Sequence, residues 1–143
     1  MRPAECDRCS RMTEIPPAFR ELLMRPNFAY LATIMPDGSP QVTPVWCDLD
    51  EAGHVLVNTA RGRQKERNVR RDPRVALAVA DSANPYRYLQ IRGRVVELTE
   101  TGADAHIDRL AKKYLNVEIY PYRRPGEVRV IVRIRPERVQ TVG

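Results

Sequence analysis

The densest basic cluster in the chain lies between Arg61 and Arg74: Arg61, Arg63, Lys65, Arg67, Arg70, Arg71 and Arg74. It follows the run His54–Thr59, which reads as a strand, and it opens a short helix stopped by Pro73. The first N–H groups of a helix have no intrahelical partner, and the dipole there is positive, so such a start favours anions. Arg63 and Lys65 add full charges at that start, and Asn58 and Thr59 add side-chain donors at the end of the strand. Arginine grips phosphate bidentately, whereas lysine acts as a point charge. The same spacing also suits a solvated basic helix face balanced by Glu66 and Asp72, and spacing alone leaves the two readings even.

The other reactive side chains form no constellation. His54 and His106 have no histidine or cysteine at i+2 or i+4 and read as structural. Cys47, before Asp48 on a strand, reads as a buried or neutral thiol. One C-x-x-C, Cys6 and Cys9, has no second pair and no flanking histidine, which makes a weak metal or redox signal. There is no G-x-S-x-G elbow, no G-x-G-x-x-G, no P-loop and no carboxylate pair with a clear role. The expectation is therefore no catalytic side chain and no metal. An enzyme so equipped needs a cofactor to carry its chemistry, and hydride transfer fits, because the protein then positions two flat molecules and tunes their electrostatics.

The elements that must position these residues are mostly strands. Pro16 and Pro17 start a helix whose face carries Phe19, Leu22 and Leu23, and Pro26 ends it. Phe28–Met35 and Gln41–Asp48 form a hairpin about the turn Pro36-Asp37-Gly38-Ser39-Pro40. Arg74–Ala80 and the long Tyr86–Leu98 follow, with Gly93 marking a bulge or barrel corner. Thr99 or Thr101 caps a helix running to about Tyr114, with Ala105, Ile107, Leu110, Ala111 and Tyr114 as its stripe. A loop rich in proline and tyrosine precedes the last long strand, Val128–Arg135, and Pro136–Val142 adds a short one. Six or seven short strands with few helices describe a mainly β chain, a largely antiparallel barrel without βαβ rhythm.

With 143 residues the chain suits one domain. Residues 1–12 carry no periodic pattern and are expected to be a disordered extension, with Met12 as an alternative start and residues 13–143 as the domain. The net charge of +6 favours an anionic partner without choosing among nucleic acid, phosphorylated cofactor and membrane surface. Aromatics are few and not interleaved with the basic residues, which argues against nucleic acid. No apolar run approaches 18 residues, and the charged N-terminus lacks a signal-type apolar stretch, so a cytoplasmic protein is expected.

Tyr30-Leu31-Ala32-Thr33-Ile34, the Pro36–Pro40 turn and Val42-Thr43-Pro44-Val45-Trp46 resemble the opening hairpin of the pyridoxamine 5′-phosphate oxidase-like superfamily. The stretch from Asn58 through Arg63, Lys65, Arg67-Asn68-Val69 and Arg71-Asp72-Pro73 to Val75-Ala76-Leu77 resembles its branch that uses the deazaflavin coenzyme F420. Arg92-Gly93-Arg94-Val95 and Arg135-Pro136-Glu137-Arg138-Val139 extend the likeness over residues 14 to 142. The resemblance implies an FMN-binding type of split β-barrel that forms a homodimer with two cofactor sites at the subunit interface. It implies that Arg63 and Lys65 hold the cofactor phosphate beside Asn58 and Thr59, and that Thr43, Pro44, Val45 and Trp46 flank the ring. Asn68 sits on the following helix, and Arg61 meets the acidic tail. The implied activity is an oxidoreductase passing hydride from reduced F420 to an electron-poor small molecule such as an enone, quinone, nitro compound or tetrapyrrole. FMN on the same fold and a non-enzymatic cofactor carrier are the alternatives. The loop with Tyr120, Tyr122, Arg123 and Arg124 reads as a surface loop or as a cover for the site. The chain ends at Gly143, without the C-terminal extension of the pyridoxamine-phosphate oxidases, so vitamin B6 oxidation is not expected.

Overall fold

The protein is described by a computed structural model covering residues 12–143. The readings made of Cys6, Cys9 and residues 1–11 lie outside the described residues.

Helix α1, Pro17–Met24, begins with a proline where no N–H is needed and stops at Arg25, which is extended ahead of Pro26. It buries Phe19, Leu22 and Leu23. Strand β1, Ala29–Ile34, and β2, Pro40–Val45, pair antiparallel from Ala29 opposite Val45 to Ile34 opposite Pro40. Gly38, at φ 88°, supplies the left-handed residue of their turn, and Asp37 accepts the Ser39 N–H at 3.0 Å.

The return strand was expected to run unbroken from Gln41 to Asp48. It breaks at Trp46, and Cys47–Leu49 is a separate strand, β3, that pairs with β4, Val55–Ala60. The sheet order is β2-β1-β5-β6-β7-β4-β3, where β5 is Arg74–Ala80, β6 Tyr88–Thr99 and β7 Arg129–Val142. Its two edges are thus consecutive in sequence with one residue between them. Two Cα–Cα steps of about 3.8 Å tie one edge to the other, so the sheet must curl until its edges meet at Trp46. Among the described residues the result is a curled half-barrel of seven antiparallel strands with three helices, the architecture of a split barrel. Prolines at Pro40 and Pro44 suit β2 to its edge position, where a missing N–H breaks no ladder.

The barrel interior holds Leu31, Val57, Leu77, Val79, Leu89, Ile91, Val130 and Ile134, closed at one side by Leu22 and Leu23 of α1. Each fully buried aliphatic side chain contributes about 1.5–3 kcal/mol. Gly93 does mark an irregularity. The β6–β7 register shifts there, and a Cβ at Gly93 would stand 2.1 Å from the Arg135 carbonyl oxygen. Pro136 lies opposite Gly93 within one continuous β7, so the expected break before a final strand is a bulge.

Helix α2 is Gln64–Arg71 and helix α3 is Ala103–Leu115. Neither expected threonine caps α3; its N-cap is Gly102, with no side-chain cap bond. Helix α3 covers the outer face of β4 and β7, where Ala103 packs with Leu56 and Ile131. Among the described residues no helix is long and apolar enough to cross a membrane, and no group of three His, Cys, Asp or Glu side chains could hold a metal ion.

Candidate functional site

Strand parity decides what each residue of β4 can reach. Val55, Val57 and Thr59 share the barrel interior, whereas Leu56 and Asn58 share the face under α3. At the last turn of that strand, the break at Trp46, the start of α2 and the loop after α3 enclose a cavity of about 240 Å³. Its lining is Phe28, Pro44, Val45, Trp46, Asn58, Thr59, Arg63, Lys65, Ile107, Tyr120, Tyr122 and Arg129.

One side of this cavity is aromatic. Trp46, released from strand geometry, stacks on Tyr114 at 5.2 Å with planes 11° apart. Tyr120 meets Trp46 edge-on at 6.0 Å, and Tyr122 meets Tyr120 at 5.7 Å. The Tyr114 hydroxyl anchors the stack, donating to the Asn27 carbonyl at 2.7 Å and accepting the Cys47 N–H at 3.0 Å. Burial raises its pKa far above the ordinary tyrosine value. Burial likewise pushes the Cys47 thiol up, in keeping with its reading as an inert buried residue.

The other side is cationic. Arg129 is buried, donates from Nε to Asn58 Oδ1 at 2.9 Å and from Nη1 to Glu127 Oε1 at 2.8 Å, and lies over the Tyr120 ring at 5.2 Å. Arg63 stands 3.5 Å from Glu127. Lys65 has neither a hydrogen bond nor an ion pair to any described residue. Burial, then the charges of Arg63 and Arg129, lower its pKa below the ordinary lysine value. Thr59 Oγ1 is buried with no hydrogen-bond partner among the described residues. Buried hydroxyls are almost always bonded, so an orphan on a cavity wall beside an uncompensated lysine fits an absent polar ligand. The donors present suit a phosphate, and the aromatic wall suits a flat ring.

Of the expected site residues, Pro44, Val45, Trp46, Asn58, Thr59, Arg63 and Lys65 come together here. Thr43, Arg61 and Asn68 do not line the cavity. Thr43 pairs with Leu31 inside the hairpin. Arg61 is engaged by Glu66 at 3.2 Å and Glu100 at 3.0 Å. Asn68 is fully buried, donating to Thr33 Oγ1 at 2.9 Å and accepting from Gln64 Nε2 at 2.8 Å, a clamp between α2 and the hairpin. Within the tyrosine loop the two tyrosines reach the cavity, whereas Arg123 is bound by Asp104 and Asp108 at 2.8 Å each. Sequence reading missed Arg129, which is 71 positions from its partner Asn58 and looks like any arginine of an alternating strand. A larger hollow of about 700 Å³ on the outer face of β1, β5, β6 and β7 carries Arg74, Arg92, Arg94 and Arg138 but no aromatic residue.

Residues 15–143 match the family described as pyridoxamine 5′-phosphate oxidase. A solved structure described as an F420 reductase is 34% identical, with a TM-score of 0.77 over 88% of this chain and 98% of that one. The conserved hypothetical protein Rv2991 from Mycobacterium tuberculosis is 24% identical, with a TM-score of 0.70 over 93% and 87%. A protein of unknown function from Agrobacterium tumefaciens, also 24% identical, superposes with a TM-score of 0.69 over 87% of this chain and 54% of that one. The last two likenesses carry the fold alone.

Proposed function

The chain belongs to the pyridoxamine 5′-phosphate oxidase family, and from that premise we propose that it is an oxidoreductase dependent on the deazaflavin coenzyme F420. A flavin or deazaflavin cofactor is the coarser expectation of the family and of its 34%-identical relative. The observation that carries the finer reading is the desolvated, unpaired Lys65 beside Arg63, Arg129 and the orphaned Thr59 hydroxyl, all facing an aromatic wall.

In this reading Arg63, Lys65 and Arg129 hold the cofactor's phosphate, and Thr59 donates to it. Pro44, Val45, Trp46 and Tyr120 flank the ring and keep water from it. When bound, the cofactor supplies the hydride chemistry, so the protein needs no nucleophile or general base of its own. The cationic wall favours a ligand with several negative charges over one with few, which supports F420 with its phosphate and glutamates over FMN.

We also propose that the working unit is a homodimer. At about 240 Å³ the cavity of one chain is smaller than the roughly 300–1,000 Å³ of typical ligand pockets, so a three-ring cofactor extends past it. Beyond Phe28 and Pro44 the sheet exposes Tyr30 and Val42, 54% and 63% accessible. Covering that face with a second copy buries it and encloses the ring.

Fluorescence titration with oxidised F420, with FMN in parallel, tests the assignment. Tight F420 and weak FMN binding are expected, with hydride transfer to an electron-poor acceptor then detectable. The reverse preference transfers the chain to the flavin branch. Tight binding without turnover on any acceptor makes it a carrier.

A further inference from the structure

Behind the cationic wall lies a buried polar chain that reaches the cavity through Asn58 and Arg129. Asn58 gives one amide proton to the Ala103 carbonyl at 2.9 Å, and its Nδ2 lies 3.1 Å from His106 Nδ1. Its Oδ1 accepts the Arg129 Nε–H at 2.9 Å. His106 is fully buried, and its Nε2 lies 3.7 Å from Asp48 Oδ2. Asp48 belongs to β3, directly beyond the Trp46 break.

The donor and acceptor count fixes the orientation of Asn58 and its bond to His106. An amide nitrogen has two protons and an imidazole nitrogen without a proton is an acceptor. The Ala103 carbonyl can only accept, so Nδ2 faces it, and the second Nδ2 proton goes to His106 Nδ1. The ring proton then sits on Nε2, which lies near the Asp48 carboxylate without a hydrogen bond to any described residue. With both amide protons taken, the carbonyl end of Asn58 is held against Arg129. The guanidinium of Arg129, which lines the cavity, is thereby held by Asn58 at Nε and by Glu127 at Nη1.

We propose that His106 is a positioning residue of the anion site: by accepting the second Asn58 amide proton it holds Asn58, and through it Arg129, in register with the cavity. This rests on reading the cavity as an anion site. A leucine at 106 leaves a desolvated amide N–H unpaired, and relieving it requires the amide to turn about its own axis and release Arg129. An asparagine at 106 presents an acceptor oxygen close to the place of Nδ1.

The experiment compares wild type, His106→Leu and His106→Asn by the exchange rate of the Arg129 Nε–H in nitrogen-15 NMR, by titration with inorganic phosphate, and by thermal unfolding. In the leucine variant Nε–H exchange is expected to rise about tenfold and the phosphate Kd about fivefold or more, the loss of one buried hydrogen bond. The asparagine variant should return both near wild type. A folded leucine variant with unchanged exchange and affinity overturns the proposal, as does a folded asparagine variant as impaired as leucine. If the leucine variant does not fold, the asparagine variant decides: retained Nε–H protection supports the role, and lost protection overturns it. Wild type that protects the Nε–H yet binds no phosphate refutes the anion-site reading while leaving the positioning role standing.

Discussion

Lys65 and Glu66 are neighbours on one helix and live in opposite surroundings. Glu66 is fully buried and saturated: the Gly62 N–H reaches it at 2.8 Å, Arg70 at 2.5 Å and Arg61 at 3.2 Å. Burial opposes its ionisation, yet these donors outweigh burial and hold its carboxyl below the usual range. Lys65 is partly buried among like charges and has no ion pair to any described residue. Charge density along this helix is uniform in sequence, so density does not mark the site. What marks it is the cation whose compensation is missing, because a protein keeps a desolvated, unpaired charge at a cost that only a ligand offsets.

Four results would sharpen or break that contrast. Glu66→Gln has the largest expected effect, a loss of about 2–3 kcal/mol in urea unfolding, because it weakens a buried, multiply bonded acceptor. Glu66 is more acidic folded than unfolded. Its contribution is therefore present above the unfolded value near 4.3 and lost as pH falls through the folded one, so the variant should flatten the acid limb of stability. Unchanged stability would refute the structural assignment of this half of the helix.

Lys65→Met should do the reverse. Affinity for F420, or for FMN if that is the cofactor, is expected to fall by about 1.4–2.8 kcal/mol, or 10- to 100-fold. Thermal stability should stay equal or rise, because a destabilised cation has been removed. A variant that binds as tightly as wild type removes Lys65 from the site. Next, Thr59→Val should cost about 0.5–1.5 kcal/mol of binding and no stability, since the orphaned hydroxyl has no protein partner to lose.

The smallest effect is one of pH. Because the folded Lys65 pKa is lowered, its charge penalises the fold below that pKa, and the penalty is relieved as pH rises through it. An anion in the cavity raises that pKa, so binding takes up protons and weakens toward alkaline pH. Lys65→Met should abolish the slope, as read by phosphate titration at stepped pH. A slope that survives belongs to another group.

Much of this was legible along the chain. The Pro36–Pro40 turn, the short helix before Pro73 and the bulge at Gly93 all came from local rules, because Gly, Pro and Asp constrain the backbone wherever they stand. Thr59, Arg63 and Lys65 were legible as a candidate anion site, with a solvated basic helix face as the even alternative, because a helix start and its charges are neighbours in sequence. The Trp46 break was not, since Gln41–Asp48 alternates smoothly and nothing local says that its two halves pair with opposite edges of the sheet. Arg61 and Asn68 were expected at the site from the family resemblance, and Glu100, Thr33 and Gln41, which occupy them, lie 27 to 39 positions away.

The sequence by itself determined the elements, their order and the residue types available to meet an anion, because propensity, turn chemistry and helix-end electrostatics act over a few residues. Only the tertiary structure decided which cations stay uncompensated, that Trp46 and the tyrosine loop form an aromatic cavity wall, and that Arg129 joins the candidate site through Asn58. Those outcomes depend on which distant side chains meet, and on the partner each buried charge does or does not find when the sheet curls shut.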